Sequence, residues 1–100
     1  MSDDATTERR FARMTGLNER RVGEKVFVLD DKTQLHTLDN ASAVFLWERI
    51  PEHDQGAITV DALVNSLHEA FEIGYEVAKG DCISLLDQLT ALCLVQEVDA

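Results

Sequence analysis

The sequence predicts an α+β domain of the winged helix-turn-helix-like type, with a three-stranded antiparallel N-terminal sheet followed by three helices. Three observations predict it. Short β-branched and aromatic runs separated by polar turns lie before residue 40. Apolar residues at helical spacing fill the remainder. Pro51 and Gly74 divide that second part into three pieces. The chain has 100 residues, which allows one domain, and its 45% hydrophobic content suits a globular core.

Residues 1–12 are poor in apolar groups and mixed in charge, so a disordered tail is expected there, with the domain spanning 13–100. A first short strand is placed near Glu19–Val22, before a turn at Gly23-Glu24. Lys25-Val26-Phe27-Val28-Leu29 reads as a strand. Asp30 to Thr33 is a polar turn, and Gln34 to Leu38 pairs back as a hairpin whose outer edge is free.

Asp39 or Asn40 caps the first helix, in which Ala43, Leu46, Trp47 and Ile50 share a face. Pro51 forbids its continuation, and Glu52 to Ile58 is a loop. Thr59 caps the second helix, with Asp61 in its first turn. Its apolar stripe is Val60, Leu63, Val64, Leu67 and Phe71, and Gly74 ends it. The third helix runs from Val77 to Leu92 and turns Ala78, Cys82, Leu85, Leu86, Leu89, Leu92 and Cys93 to one face. Leu94 to Val98 is a short terminal strand.

Charge argues against one function class. The net charge is −10, and residues 51–100 carry one Lys, no Arg and ten Asp/Glu, which repels phosphate backbones. As a recognition helix, the third helix would set one lysine against Glu76, Asp81 and Asp87, with only Gln88 suited to a base edge. No nucleic acid partner is expected. No apolar run of about 18 residues is present, so no membrane span is expected either. The N-terminus lacks the apolar region of a secretory signal, so the cytoplasm is the expected location.

Catalytic chemistry finds no foothold. His36, His53 and His68 fall in a strand, a loop and a helix, with no His-x3-His or Cys-x2-Cys spacing for a metal. The five glycines are scattered rather than gathered in a phosphate loop, and Ser42 and Ser84 have no base nearby in sequence. No enzyme, metal or cofactor is expected. Cys82 and Cys93 share a helix face about 16 Å apart, too far for a disulfide, and both read as small buried residues.

What remains is recognition of a protein or peptide. A free strand edge is a template for one more strand, and a neighbouring helix supplies side-chain pockets. The third helix has two apolar margins for this purpose. Leu85 and Leu92 lie beside Asp81 and Gln88, and Ile83 lies beside Asp87 and Thr90.

Four stretches carry a family resemblance. Asn40-Ala41-Ser42-Ala43-Val44-Phe45-Leu46-Trp47-Glu48 is similar to an Asn-x-Thr-Ala-x-x-Ile-Trp-Glu pattern. Thr59-Val60-Asp61-Ala62-Leu63 is similar to Thr-Val-Asp-Glu-Leu. Asp81-Cys82-Ile83-Ser84-Leu85-Leu86-Asp87-Gln88-Leu89 is similar to Asp-Val-x-x-Phe-Leu-x-x-Leu, and Gly23 to Asp31 is similar to a second strand. In this order, over residues 19–98, they resemble the PqqD-like proteins, the RiPP recognition elements. The chain departs from the pattern at three places. Asp39 stands where Leu usually precedes the Asn, which leaves two registers for the third strand. The turn from Pro51 to Ile58 is longer, and Cys93 replaces a helix-ending glycine.

The resemblance implies a non-catalytic peptide chaperone. Such a domain binds the leader segment of a ribosomally synthesised precursor peptide as an added strand and presents it to a modifying enzyme, often a radical S-adenosylmethionine protein. Carried onto this chain, the peptide-binding positions are Leu35, His36, Thr37 and Leu38 on the strand and Asp81, Ser84, Leu85 and Gln88 on the helix. An acidic helix beside a free edge suits a peptide with Lys or Arg flanking apolar anchors. The domain is expected as a monomer or weak homodimer. The alternative is a docking or assembly subunit that uses the same edge; a DNA-binding regulator ranks below it.

Overall fold

The computed structural model describes residues 8–98. It contains β1 (Arg10–Arg13), β2 (Asn18–Val22), β3 (Lys25–Leu29), β4 (Leu35–Leu38), α1 (Ala41–Arg49), a 3-10 turn (His53–Gln55), β5 (Ile58–Thr59), α2 (Val60–Phe71), α3 (Tyr75–Ala91) and β6 (Val95–Val98). The α+β architecture is as expected, with one addition. There are two three-stranded antiparallel sheets, ordered β2-β3-β4 and β5-β1-β6.

The second sheet corrects the expected tail. Residues 1–7 of that tail lie outside the described residues, but Arg10–Ala12 form most of β1, with Phe11 and Ala12 buried. A two-residue apolar step in a charged stretch carries little periodicity. Its partners, β5 and β6, are remote in sequence, and β6 pairs Arg10 with Val98 and Arg13 with Val95. Arg9 clamps this ladder through a two-pronged contact with Glu97 at 2.9 and 3.1 Å. That contact holds the Glu97 carboxyl below its ordinary range and raises the Arg9 guanidinium. The loop expected from Glu52 to Ile58 likewise contains the 3-10 turn and the first residue of β5.

Local chemistry sets the helix ends. Asn40, not Asp39, caps α1: its side chain accepts from the Ser42 N–H at 2.9 Å. Pro51 follows the Ile50 C-cap. Thr59 caps α2 by accepting from the Ala62 N–H at 3.1 Å. The expected stop at Gly74 is displaced. Glu72, in the left-handed region at φ 53°, ends α2, and Gly74 instead stands at the N-cap of α3.

Val60, Leu63, Val64 and Leu67 are buried as the stripe requires, whereas Phe71 is partly exposed at the end of α2, edge-on to Phe45 at 5.3 Å. Cys82 is buried, but Cys93 is exposed and lies beyond α3. There the Leu94 N–H reaches the Leu89 carbonyl at 2.9 Å and the Cys93 N–H reaches that of Thr90 at 3.0 Å. These two bonds are a Schellman ending, with Cys93 at φ 61° in the place glycine usually takes.

The core is one cluster in which Trp47, Leu46, Ile50, Leu63, Leu67, Leu89 and Leu94 are almost wholly enclosed. Strand β3 adds Val26 and Val28 from the hairpin sheet, and β1 adds Phe11 from the other. Cys93→Gly should raise stability by about 0.5–1 kcal/mol, the left-handed penalty less the entropy of the added glycine. Thermal unfolding followed by circular dichroism measures it. A lower Tm than wild type would contradict this account of the helix end.

Candidate functional site: a groove between a free strand and the third helix

Strand β4 is an edge of its sheet. The Asp30 N–H donates to the Gln34 carbonyl at 3.0 Å, and the register continues as Val28↔His36 and Val26↔Leu38. Antiparallel pairs alternate between hydrogen-bonded and open, so His36 and Leu38 spend their backbone groups on β3. Leu35 and Thr37 turn theirs outward. Side chains alternate as well. His36 and Leu38 share the face of buried Val26 and Val28, toward the helices, while Leu35 and Thr37 stand on the outer face. The register left open by Asp39 is thereby settled: Leu38 packs inward against the core.

Asp30 builds the turn that presents this edge. One carboxylate oxygen accepts from the Lys32 and Gln34 N–H groups at 2.9 Å each, and its carbonyl accepts from Thr33 at 3.1 Å. The other oxygen meets His36 Nε2 at 3.0 Å. The His36 contact and then the backbone donors hold the Asp30 carboxyl below its ordinary value. Thr33 adopts φ 65°, an unfavourable conformation for a β-branched residue.

Helix α3 lines two depressions, and only the second reaches this strand, at His36. One, of about 250 Å³, is lined by Asp81, Ser84, Leu85 and Gln88 of α3 and by Asn40, Ser42, Ala43 and Leu46 at the start of α1. The other, of about 220 Å³, lies between the β3–β4 turn with His36 and the end of α3 at Ala91, Leu92 and Cys93. The four helix residues singled out in the sequence therefore line one depression, and His36 lines the next. Of the two apolar margins, Leu85 and Leu92 border the groove, and Ile83 packs against the core.

Asn40, Ser42 and Ala43 also border the groove; the sequence marked them as a cap, a motif position and a core-face residue, not as groove residues. Leu92, 47% exposed, was legible as a margin residue of the same face as Leu85.

The remaining reactive side chains are engaged structurally. His68 Nδ1 meets the Ile73 carbonyl. Burial, with a smaller push from Asp81, raises the Cys82 thiol to about 12, so it stays protonated and inert. Among the described residues no three His, Cys, Asp or Glu side chains gather as a metal site, and no helix is long and apolar enough to cross a membrane.

A family profile described as Coenzyme PQQ synthesis protein D (PqqD) matches residues 25–95. The chain belongs to the PqqD family. The PqqD match runs from β3 to the first residue of β6 and so contains β4, α1 and α3, every element that borders the groove. The fold is also that of a solved structure described as TbiB1 in complex with the TbiA(beta) leader peptide. The TM-score is 0.74 at 13% identity, over 89% of this chain and 99% of that one. No curated protein matches the chain.

A carboxyl held low in the fold stabilises it above its ordinary value of 3.8, and that contribution is lost as pH falls through the lowered value. Acid titration followed by NMR should therefore release the Lys32 and Gln34 amides together, below the ordinary carboxylate range. Asp30→Asn should abolish that transition. An unchanged titration in the variant would remove Asp30 from this role.

Proposed function

We propose that this PqqD-family chain is a non-catalytic peptide chaperone that binds the leader segment of a ribosomally synthesised precursor peptide. The observation that carries the reading is the outward backbone of Leu35 and Thr37 on β4, a strand whose His36 shares a depression with the end of α3. An extended peptide laid along β4 satisfies these donors and acceptors whatever its sequence. Its alternate side chains enter the depressions at Ser84, Leu85 and Gln88 and at His36 and Leu92. Leu38 supports the strand from within, and exposed Asp81 favours a Lys or Arg near the apolar anchors. The likeness to TbiB1, whose structure holds a leader peptide, supports the same reading.

In this role the domain holds the peptide's conformation and presents it to a modifying enzyme such as a radical S-adenosylmethionine protein. It works in the cytoplasm, where the precursor is made. The chemistry belongs to that partner.

Leu35→Pro is the direct test. It removes an outward N–H while leaving the β3 ladder intact, which an edge strand tolerates. Wild type and variant are used to capture partners from a lysate of the source organism, read by mass spectrometry, with circular dichroism confirming both folds. The variant should recover at least about tenfold less of a short peptide, the equivalent of about 1.4 kcal/mol. Asp81→Lys should weaken the same capture. Equal recovery of the peptide by wild type and Leu35→Pro would overturn strand addition at β4.

A further inference from the structure

Strand β3 is apolar on both faces. Val26 and Val28 turn inward to the core, and Phe27 and Leu29 turn outward together with Lys25. A continuous apolar run is the mark of a strand covered on both sides, whereas an antiparallel sheet with one solvated face ordinarily alternates apolar with polar. The ladder extends the outer patch to both neighbours. Leu35 of β4 lies beside Leu29, and Val22 of β2 lies beside Lys25. Leu35 is 62% exposed and Val22 55%. None of these four apolar side chains is part of the core cluster. A depression of about 390 Å³ opens on this face between Asn18, Arg20, Phe27, Leu29 and Leu35.

The charged groups of this face have one sign. Arg20 lies beside Phe27, and Lys25 opens the central strand. Among the described residues neither makes an ion pair, a side-chain hydrogen bond or a ring contact. Glu19 also borders the depression, but its carboxylate is turned to the opposite face, to Trp47 and Arg13. Glu24 and Asp31 sit in the turns at the two ends of the sheet. A chain of net charge −10 thus presents a face whose free charges are cationic, set around an apolar centre. We infer that this face docks an acidic amphipathic helix of a partner protein. Its apolar stripe covers Phe27, Leu29 and Leu35, and its Asp or Glu side chains meet Arg20 and Lys25.

Dimensions and charge both select this occupant. Three strands spaced about 4.8 Å apart make a face about 10 Å across, the diameter of one helix, and five residues run about 17 Å, or three helical turns. A helix is also the element that ordinarily covers a sheet face. Unlike charges at the margins of the contact steer and orient the partner. An anionic membrane recruits clusters of about four or more basic residues, and the acidic remainder of this chain repels one. The face is on the side of the sheet away from His36 and Leu38, so the inference stands whether or not β4 takes a peptide.

Two helical peptides of about 18 residues test it, one with a leucine stripe flanked by glutamates and one with lysines in their place. Each is titrated into the full chain at about 0.15 M salt, which screens long-range repulsion, and followed by amide shifts in NMR. The glutamate peptide should shift Arg20, Phe27, Leu29 and Leu35, and bind there at least about fivefold tighter than the lysine peptide. Arg20→Glu combined with Lys25→Glu should reverse that preference, and Phe27→Thr should weaken the glutamate peptide at least about tenfold. Circular dichroism checks that each variant folds. Phosphatidylglycerol vesicles should leave the same amides unmoved. Shifts absent from the outer face, or confined to Ser84, Leu85 and Gln88, would overturn the inference, as would an unchanged preference in the charge-reversed variant. Vesicle binding through Arg20 and Lys25 would overturn it in favour of a lipid surface.

Discussion

A buried indole needs an acceptor, and the way this chain supplies one joins its two sheets. Trp47 on α1 is 1% exposed, and its N–H donates to the Glu19 carboxylate on β2. Leaving such a donor unpaired would cost about 1–3 kcal/mol. Glu19 is held in turn by Arg13 of β1 at 3.1 Å through both oxygens. Arg13 also donates to the Trp47 carbonyl at 2.6 Å and lies over the indole ring at 4.6 Å. The two sheets share no strand. Strands β1 and β2 are bound to α1 by this one set of contacts, with Arg21 to Glu48 as a second tie from β2 to the same helix.

The tie orients the hairpin. With β2 anchored over α1, the register of the ladder brings His36 of β4 and the β3–β4 turn beside the end of α3. The groove is the space that results, and its upper wall is the start of α1, so the helix that fixes the hairpin also shapes the site. The turn at Asp30 completes the placement by holding His36 toward α3 and leaving Leu35 outside.

The sheet's two edges differ in chemistry. Strand β4 turns Leu35 and Thr37 outward and sets His36 at the depression beside the end of α3. Strand β2 carries Glu19 and Arg21, both tied to side chains of the same chain. Each is half-satisfied backbone that a three-stranded sheet leaves open.

By itself the sequence determined whatever depends on near neighbours. The run Lys25–Leu29, the caps Asn40 and Thr59, the stop at Pro51 and the stripe from Val60 to Leu67 were all legible, because turns, caps and periodicity act over a few residues. So was the helix face that holds Asp81, Ser84, Leu85 and Gln88. Pairing between remote segments was decided only in three dimensions. Strand β1 exists because Val95–Val98 and Ile58–Thr59 come to flank it, and no local signal in Arg10–Arg13 announces either partner. The register of β4, the choice of the Leu85 margin over Ile83 and the share of Asn40 in the groove depend likewise on where α1 and the hairpin settle. Cys93 unites the two levels: its place in the pattern marked a helix end, but only the closing bonds from Leu94 and Cys93 showed that a cysteine performs the left-handed turn there. Short-range sterics and hydrogen bonding act within a segment and can be read along the chain. The burial that selects among remote pairings is a property of the assembled core.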